Sequence, residues 1–446
     1  MDRRVTWQAA GRLAVLLGVA VVVALGAVRF SGAALPLALG DPGPFVRWGT
    51  PVVSALRNLL SAGVVGCLVL AVGILPRKVR ADDGAPRRSS SAQVDGRAYP
   101  AALTLAGGFA IAWTIVNVLH LALTYSRAGR TRLDDPTFGE QLFSFATEVT
   151  LGRSLLATVI VAACVSVLAL FVATPTGAAW TLALAVSAFA FQSATGHASQ
   201  NSSHELALSS LFLHLLGAAV WIGALLSLAL LAGRLGRDAA PAVRRFSTLA
   251  GWCLVAVGVS GLVSAALRVG SLEDVGSRYG LLVLAKAGLL AVLGLIGLAH
   301  RLAVVRRLED GGRARVLLWR LVAVELAVMG AVSGVASALA STPTPVPDEP
   351  PSAPTPAQIV TGHLLPPELT FEQWFVQWRW DVLIAFACAA ALFVYLRWVA
   401  RLHRRGDSWP VGRTIAWVLG ILVLAWTGNG GPAMYGHVLF SAHMVQ

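Results

Sequence analysis

The chain has 446 residues, of which 56% are apolar and only 13% charged, and its mean hydropathy is +0.71. Soluble domains carry roughly 25% charged residues, so these values exclude a soluble globular protein. The net charge of +13 would suit a nucleic-acid binder. Its distribution assigns it instead to membrane topology.

Apolar runs of about 20 residues, the length that crosses ~30 Å of hydrocarbon, recur along the chain. In order they cover 10-28, 51-75, 101-125, 152-173, 178-195, 206-232, 247-267, 279-299, 316-341, 380-399 and 412-427, with a twelfth opening near 437. The expectation is an all-α, polytopic transmembrane bundle of about 11–12 helices. The first run follows Arg3, Arg4 and Arg12 and reads as a retained helix rather than a cleaved signal. With the N-terminus in the cytoplasm, the inner segments hold 24 Lys/Arg and the outer ones 9. That bias is the positive-inside signal, and it predicts a multi-pass protein of a bacterial cytoplasmic membrane, with the lipid bilayer as its partner and no nucleic acid.

Four sections are expected. Residues 1-195 hold the N-terminal helices and a basic, Ser-rich inner linker at 76-99. Residues 196-341 form a second helical block. Residues 342-379 begin as TPTPVPDEPPSAPTPA, a Pro-rich extended spacer, and end in Trp374, Trp378 and Trp380, which suit a bilayer interface. Residues 380-446 start a further membrane section whose last helix is too short to span, so it reads as interfacial or as part of a longer protein. Cys67, Cys164, Cys253 and Cys388 stand singly in apolar runs, with no metal or disulfide spacing. Stretches such as GLVSAAL and GAVSGVASA suit close helix packing.

Histidine is costly in a bilayer and is a common ligand of copper, zinc, nickel and iron. His197 and His204 flank one polar outer loop. His214 lies 10 residues past His204, about 15 Å deeper, so the loop reads as a mouth and His214 as a second station. His120 lies near the outer end of the third helix, and His437 and His443 bracket the start of the last. His437 and His443 stand beside Met434 and Met444, a small mixed nitrogen–sulfur group. His363, after the spacer, reads alone as an interfacial polar residue, and His300 and His403 as solvated inner-face residues. Lys286 and Glu325 are intramembrane charges on consecutive helices, at different depths. No nucleotide, hydrolase or metalloprotease motif is present, and no enzymatic activity is expected.

Two segments resemble known families. His204-Glu205, His214 to Gly223 (HLLGAAVWIG), Arg245-Phe246-Ser247, Val263 to Gly270 (VSAALRVG), Tyr279 to Lys286 (YGLLVLAK) and Val324-Glu325-Leu326 resemble the CopD/PcoD copper-resistance family over about 195-342. Gly412-Arg413-Thr414 and Tyr435 to Gln446 (YGHVLFSAHMVQ) resemble the start of a CtaG-type cytochrome c oxidase assembly domain, over about 380-446. The resemblance implies a copper ion as cargo, moved across the membrane or loaded for resistance or oxidase assembly. It implies that His197, His204, His214, His437 and His443 match these families' histidine positions; that they ligate the metal, with His120 as an extra ligand, is the expectation. An extracytoplasmic copper chaperone or cytochrome oxidase subunits are the implied partners. Two alternatives stay open: a haem-binding redox protein using His120 and His214, and an oxidase-assembly scaffold that needs no metal.

Overall fold

The computed structural model describes residues 3–36, 40–76, 78–80, 93–95, 97–194, 204–299, 312–345, 355–361 and 363–445. Among these, eleven helices are long and apolar enough to cross a membrane, one for each of the first eleven apolar runs. The chain is a polytopic helical bundle. Much of its exposed surface is apolar, including Val167, Leu170 and Phe171, as a surface facing lipid requires.

Two compact units divide the chain. The first holds residues 1–195, 215–258 and 268–346. Its long helices are α1 (Arg3–Ser31), α2 (Pro44–Val69), α3 (Ala98–Gly129), α5 (Thr150–Phe171), α6 (Pro175–Ala194), the greater part of α7 (His204–Leu235) and α8 (Ala239–Val269), then α9 (Arg278–Ala299) and α10 (Gly312–Leu339). Helix α1 packs along α10, α2 along α3, and α3 against α5, which in turn meets α6.

Small residues make the closest of these crossings. Gly330 and Gly334 lie on α10 against α1, where Leu16, Ala20 and Ala24 are fully buried. Their i,i+4 spacing puts both on one face and lets the two backbones touch. Gly223 on α7 and Gly66 on α2 meet in the same way: a Cβ on either would fall on the other helix's backbone. The GAVSGVASA stretch is therefore a packing seam, as its composition suggested.

A strand pair and a short helix of this unit were not expected from the sequence. Strands β1 (Lys78–Arg80) and β2 (Gln93–Asp95) pair antiparallel within the basic, Ser-rich linker, Val79 opposite Val94. The segment between the third and fourth spans contains helix α4 (Phe138–Glu148), which buries Phe145 and Ala146 against Leu121, Tyr125 and Leu155. The rings of Phe138 and Phe145 pack on Tyr125 at 5.1 and 5.5 Å.

The second unit holds residues 196–214, 259–267 and 347–446. It contains the first three turns of α7, a late stretch of α8, and the short helices α11 (Pro356–Thr361) and α12 (Gln373–Val376). After these come α13 (Val382–Arg404), α14 (Val411–Asn429), α15 (Gly431–Tyr435) and α16 (Phe440–His443). The twelfth run expected near 437 thus contains α16, a single turn. Helices α13 and α14 pack antiparallel, and α15 follows α14 with Pro432 in its first turn, where the missing N–H costs nothing.

Candidate metal centre

The second unit gathers Glu205, His363 and His437. Each offers one ligand atom, and these atoms all lie within 4.8 Å of one another. Among the described residues this is the one such group of three. His437 Nε2 donates to Glu205 Oε1 at 3.1 Å, and His363 Nε2 stands 3.8 Å from the same oxygen. The two imidazoles stack with centroids 4.9 Å apart and planes 14° from parallel. The other oxygen, Oε2, takes Arg379 Nη2 at 2.7 Å. One carboxylate thus faces two imidazoles on one side and a guanidinium on the other. All four side chains keep a fifth to a third of their surface, so the site is accessible.

Each residue is placed by its own element. Glu205 is in the first turn of α7, where a carboxylate complements the positive end of the helix. His363 follows α11, and its backbone N–H donates to Thr361 Oγ1 at 3.2 Å. Arg379 N donates to Asn429 O at 2.7 Å, and Asp381 N to Asn429 Oδ1 at 2.7 Å. Asn429 is buried and spends its amide N–H on Ala425 O, so both ends of its side chain are satisfied. Asp381 caps α13 by accepting from Ile384 N, and Val382 N donates to Ser209 Oγ on α7.

Aromatic packing fixes the remaining turn. Trp426 Nε1 donates to Trp374 O at 2.9 Å, and Tyr435 Oη donates to Pro367 O at 2.9 Å. The Trp374 ring lies against both Trp426 and Tyr435. Gly431 runs so close to the Trp374 backbone that no Cβ would fit. His437 therefore leaves a rigid corner. Phe371, Phe375 and Trp380 are exposed, and Trp378 stacks on Trp380 at 5.2 Å, an aromatic rim suited to a headgroup layer.

Electrostatically the group is nearly balanced. Burial holds the Arg379 guanidinium below its ordinary pKa, while Glu205 and then Asp381 pull the other way. It remains a cation at any physiological pH. Two neutral imidazoles and a carboxylate form an N2O donor set that suits borderline divalent ions. Ligation through Nε2 needs the neutral tautomer with its proton on Nδ1, so His437 would move the proton it now gives to Glu205.

Among the described residues, none of the other expected residues joins this group of three. His197 lies outside the described residues. Helix α7 opens on His204, whose side chain is likewise outside them. His214 lies on α7 nine residues beyond Glu205, about 13.5 Å along the axis. Its Nδ1 is 3.1 Å from Ser260 Oγ on α8. His120 belongs to the first unit, buried on α3, with Nδ1 3.3 Å from Arg57 Nη1 and 3.4 Å from Thr124 Oγ1. His443 is exposed on α16, and Met444 beside it is exposed too. Glu325 is buried on α10 and Lys286 half-buried on α9. Among the expected ligands whose side chains are described, His437 is the one brought into a three-residue group. Glu205 and His363 were not singled out as ligands. Their signals were slight: a carboxylate next to a histidine at a helix start, and a histidine just after a spacer.

Comparison with known proteins identifies the setting. Residues 240–339 match the family described as copper resistance protein D, and residues 393–446 match that described as cytochrome c oxidase caa3 assembly factor. These are the two families resembled at the sequence level. His437 and His443 fall within the second match, while Glu205, His214 and His363 fall outside both. An uncharacterized protein of Mycobacterium bovis is 39% identical over 92 residues, which is 21% of this chain and 14% of that relative. Copper transport protein CutJ of Bacillus subtilis is 33% identical over 132 residues, 28% of this chain and 24% of the relative. Inner membrane protein YebZ of Escherichia coli is 30% identical over 160 residues, 33% of this chain and 55% of the relative. The aligned stretches thus cover between about a seventh and about half of these relatives' lengths. No solved structure matches. The chain is a multi-pass bacterial membrane protein related to copper-handling and oxidase-assembly families.

Proposed function

We propose that this protein is a copper-handling protein of the bacterial cytoplasmic membrane, and that Glu205, His363 and His437 receive the ion at the outer face. The observation that carries the reading is the convergence of two imidazoles on one carboxylate oxygen, at the ends of helices in a chain that matches a copper-resistance family. The N-terminus is cytoplasmic in this reading, which puts the starts of α7 and α13 and the end of α14 outside. His214, deeper on α7, is the next station inward. The ion is either carried across the bilayer or loaded for oxidase assembly, the second use being supported by the C-terminal match. Binding and release are all that either use asks of the protein; no bond of a substrate is made or broken.

The test is copper per chain in purified full-length protein after equilibration with Cu(II) and desalting. Wild type is compared with Glu205→Gln, His363→Ala and His437→Ala. Loss of about one equivalent in each variant is expected. Wild-type stoichiometry in all three would remove this site from copper handling.

A further inference from the structure

The site holds a cation of its own. Arg379 Nη2 is 2.7 Å from Glu205 Oε2, while both imidazoles face Oε1. The guanidinium is only about a fifth exposed, and its backbone is fastened by the bond from Arg379 N to Asn429 O. Anything positive that comes to Glu205 meets Arg379 there.

We infer that metal capture at Glu205 is a cation exchange: an arriving Cu(II) ion takes Glu205 from Arg379, and Arg379 returns when the ion leaves. The inference rests on the proposed reading of the site and adds its regulation. The donor set favours Cu(II) over Cu(I), because it offers imidazole and carboxylate and no thiolate or thioether. Those donors alone would hold Cu(II) tightly, and a conducting site must let its ion go. A resident arginine supplies the needed weakness. While paired with Arg379 the carboxylate is neutralised. Once a dication sits on Oε1, the guanidinium is about 5 Å away and repels it. Coulomb's law in the permittivity of water alone makes that repulsion worth more than tenfold in affinity. When the guanidinium swings off, it needs another acceptor or water. About a fifth of the Arg379 side chain is already exposed, so it can reach water while its backbone bond to Asn429 stays in place.

No bond of a substrate is involved. Both imidazoles bind as neutral ligands, so the Nε2 proton that His437 now gives to Glu205 is relocated to Nδ1 when the ion arrives.

The experiment measures Cu(II) affinity of the purified full chain by isothermal titration, with the copper electron paramagnetic resonance spectrum as a second readout. Wild type is compared with Arg379→Gln, Arg379→Met and Arg379→Lys. Thermal midpoints without added copper check the fold. Both neutral variants are expected to bind Cu(II) about tenfold tighter or more, with a slower copper off-rate and the wild-type donor pattern in the spectrum. Arg379→Lys keeps the charge and is expected to stay within about threefold of wild type. A merely structural arginine would instead weaken binding when removed and would not distinguish lysine from glutamine. Affinity unchanged or weaker in the neutral variants overturns the exchange while leaving the site intact. Unfolding of both neutral variants also overturns it, since the pair would then be a fixed structural fastening. If wild type binds Cu(II) no better than Glu205→Gln, the site itself fails, and the exchange with it.

Discussion

The seam between α1 and α10 gives a sharp mechanical prediction. A Cβ added at Gly334 would lie 2.6 Å from Ala20 O, 2.8 Å from Ala24 N and 3.0 Å from Val23 Cβ. The first two are backbone atoms and cannot swing aside. Ordinary contact begins near 3.4 Å, so α1 must retreat by about 0.8 Å along this stretch. Overpacking of this kind costs about 1–3 kcal/mol. Helix propensity gives back up to about 1 kcal/mol for glycine to alanine. Gly334→Ala should therefore destabilise by about 1–2 kcal/mol, and Gly334→Leu by more. The control is Gly288→Ala on α9, where nothing lies within 4 Å of the new Cβ and propensity acts alone. Thermal unfolding in a fixed detergent reads the difference: Gly334→Ala should melt a few degrees below wild type, and Gly288→Ala at or above it. If Gly334→Ala melts with or above Gly288→Ala, the helices do not touch through their backbones there. The packing account of the GAVSGVASA stretch would then be wrong.

Two further perturbations bear on the second unit. Asn429→Ala removes the acceptor of Asp381 N in a buried place and should cost about 1–3 kcal/mol, seen as faster amide exchange at 379–384; unchanged exchange there would count against Asn429 as the fastening of the Arg379 segment. Ser260→Ala removes the hydroxyl beside His214 Nδ1 and should cost about 1 kcal/mol in thermal stability, while copper bound at Glu205, His363 and His437 stays at the wild-type amount. A fall in bound copper would instead put His214 inside that site.

The eleven spans were legible because a membrane helix advertises itself: about twenty apolar residues in a row have few other uses. Helix α4 was not, because it is short and half polar and owes its helicity to Tyr125 and Leu155, contacts that no local pattern encodes. The same divide runs through the site. His437 could be proposed from its type and place near a predicted helix end. Its partner Glu205 lies 232 positions earlier, and such a pairing follows from how helices assemble, not from spacing. His363 looked like an interfacial residue because its neighbourhood in sequence is a proline-rich spacer. The fold gives it a different neighbourhood by hanging the spacer's end on Tyr435, Trp426 and Asn429.

If copper is received at Glu205, His363 and His437 as proposed, the polar residues between Glu205 and His214 favour two stations rather than one. Ser209 and Ser210 on α7 and Ser260 on α8 are buried, and Ser264 joins them. Ser210 Oγ donates to Ser260 O at 2.8 Å and meets Ser264 Oγ at 3.1 Å. Ser209 Oγ accepts from Val382 N, and Ser260 Oγ meets His214 Nδ1. Hydroxyl oxygen is a poor ligand for copper beside imidazole. These serines therefore do not make a third site. They do line a buried stretch with groups that can exchange one hydrogen bond for another, in a region where an apolar wall would have cost nothing to build. About 13.5 Å separates Glu205 from His214 along α7, too far for one ion to touch both. An ion received at the helix start would have to shed its carboxylate before it met His214. The guanidinium of Arg379, waiting on that same carboxylate, favours that release.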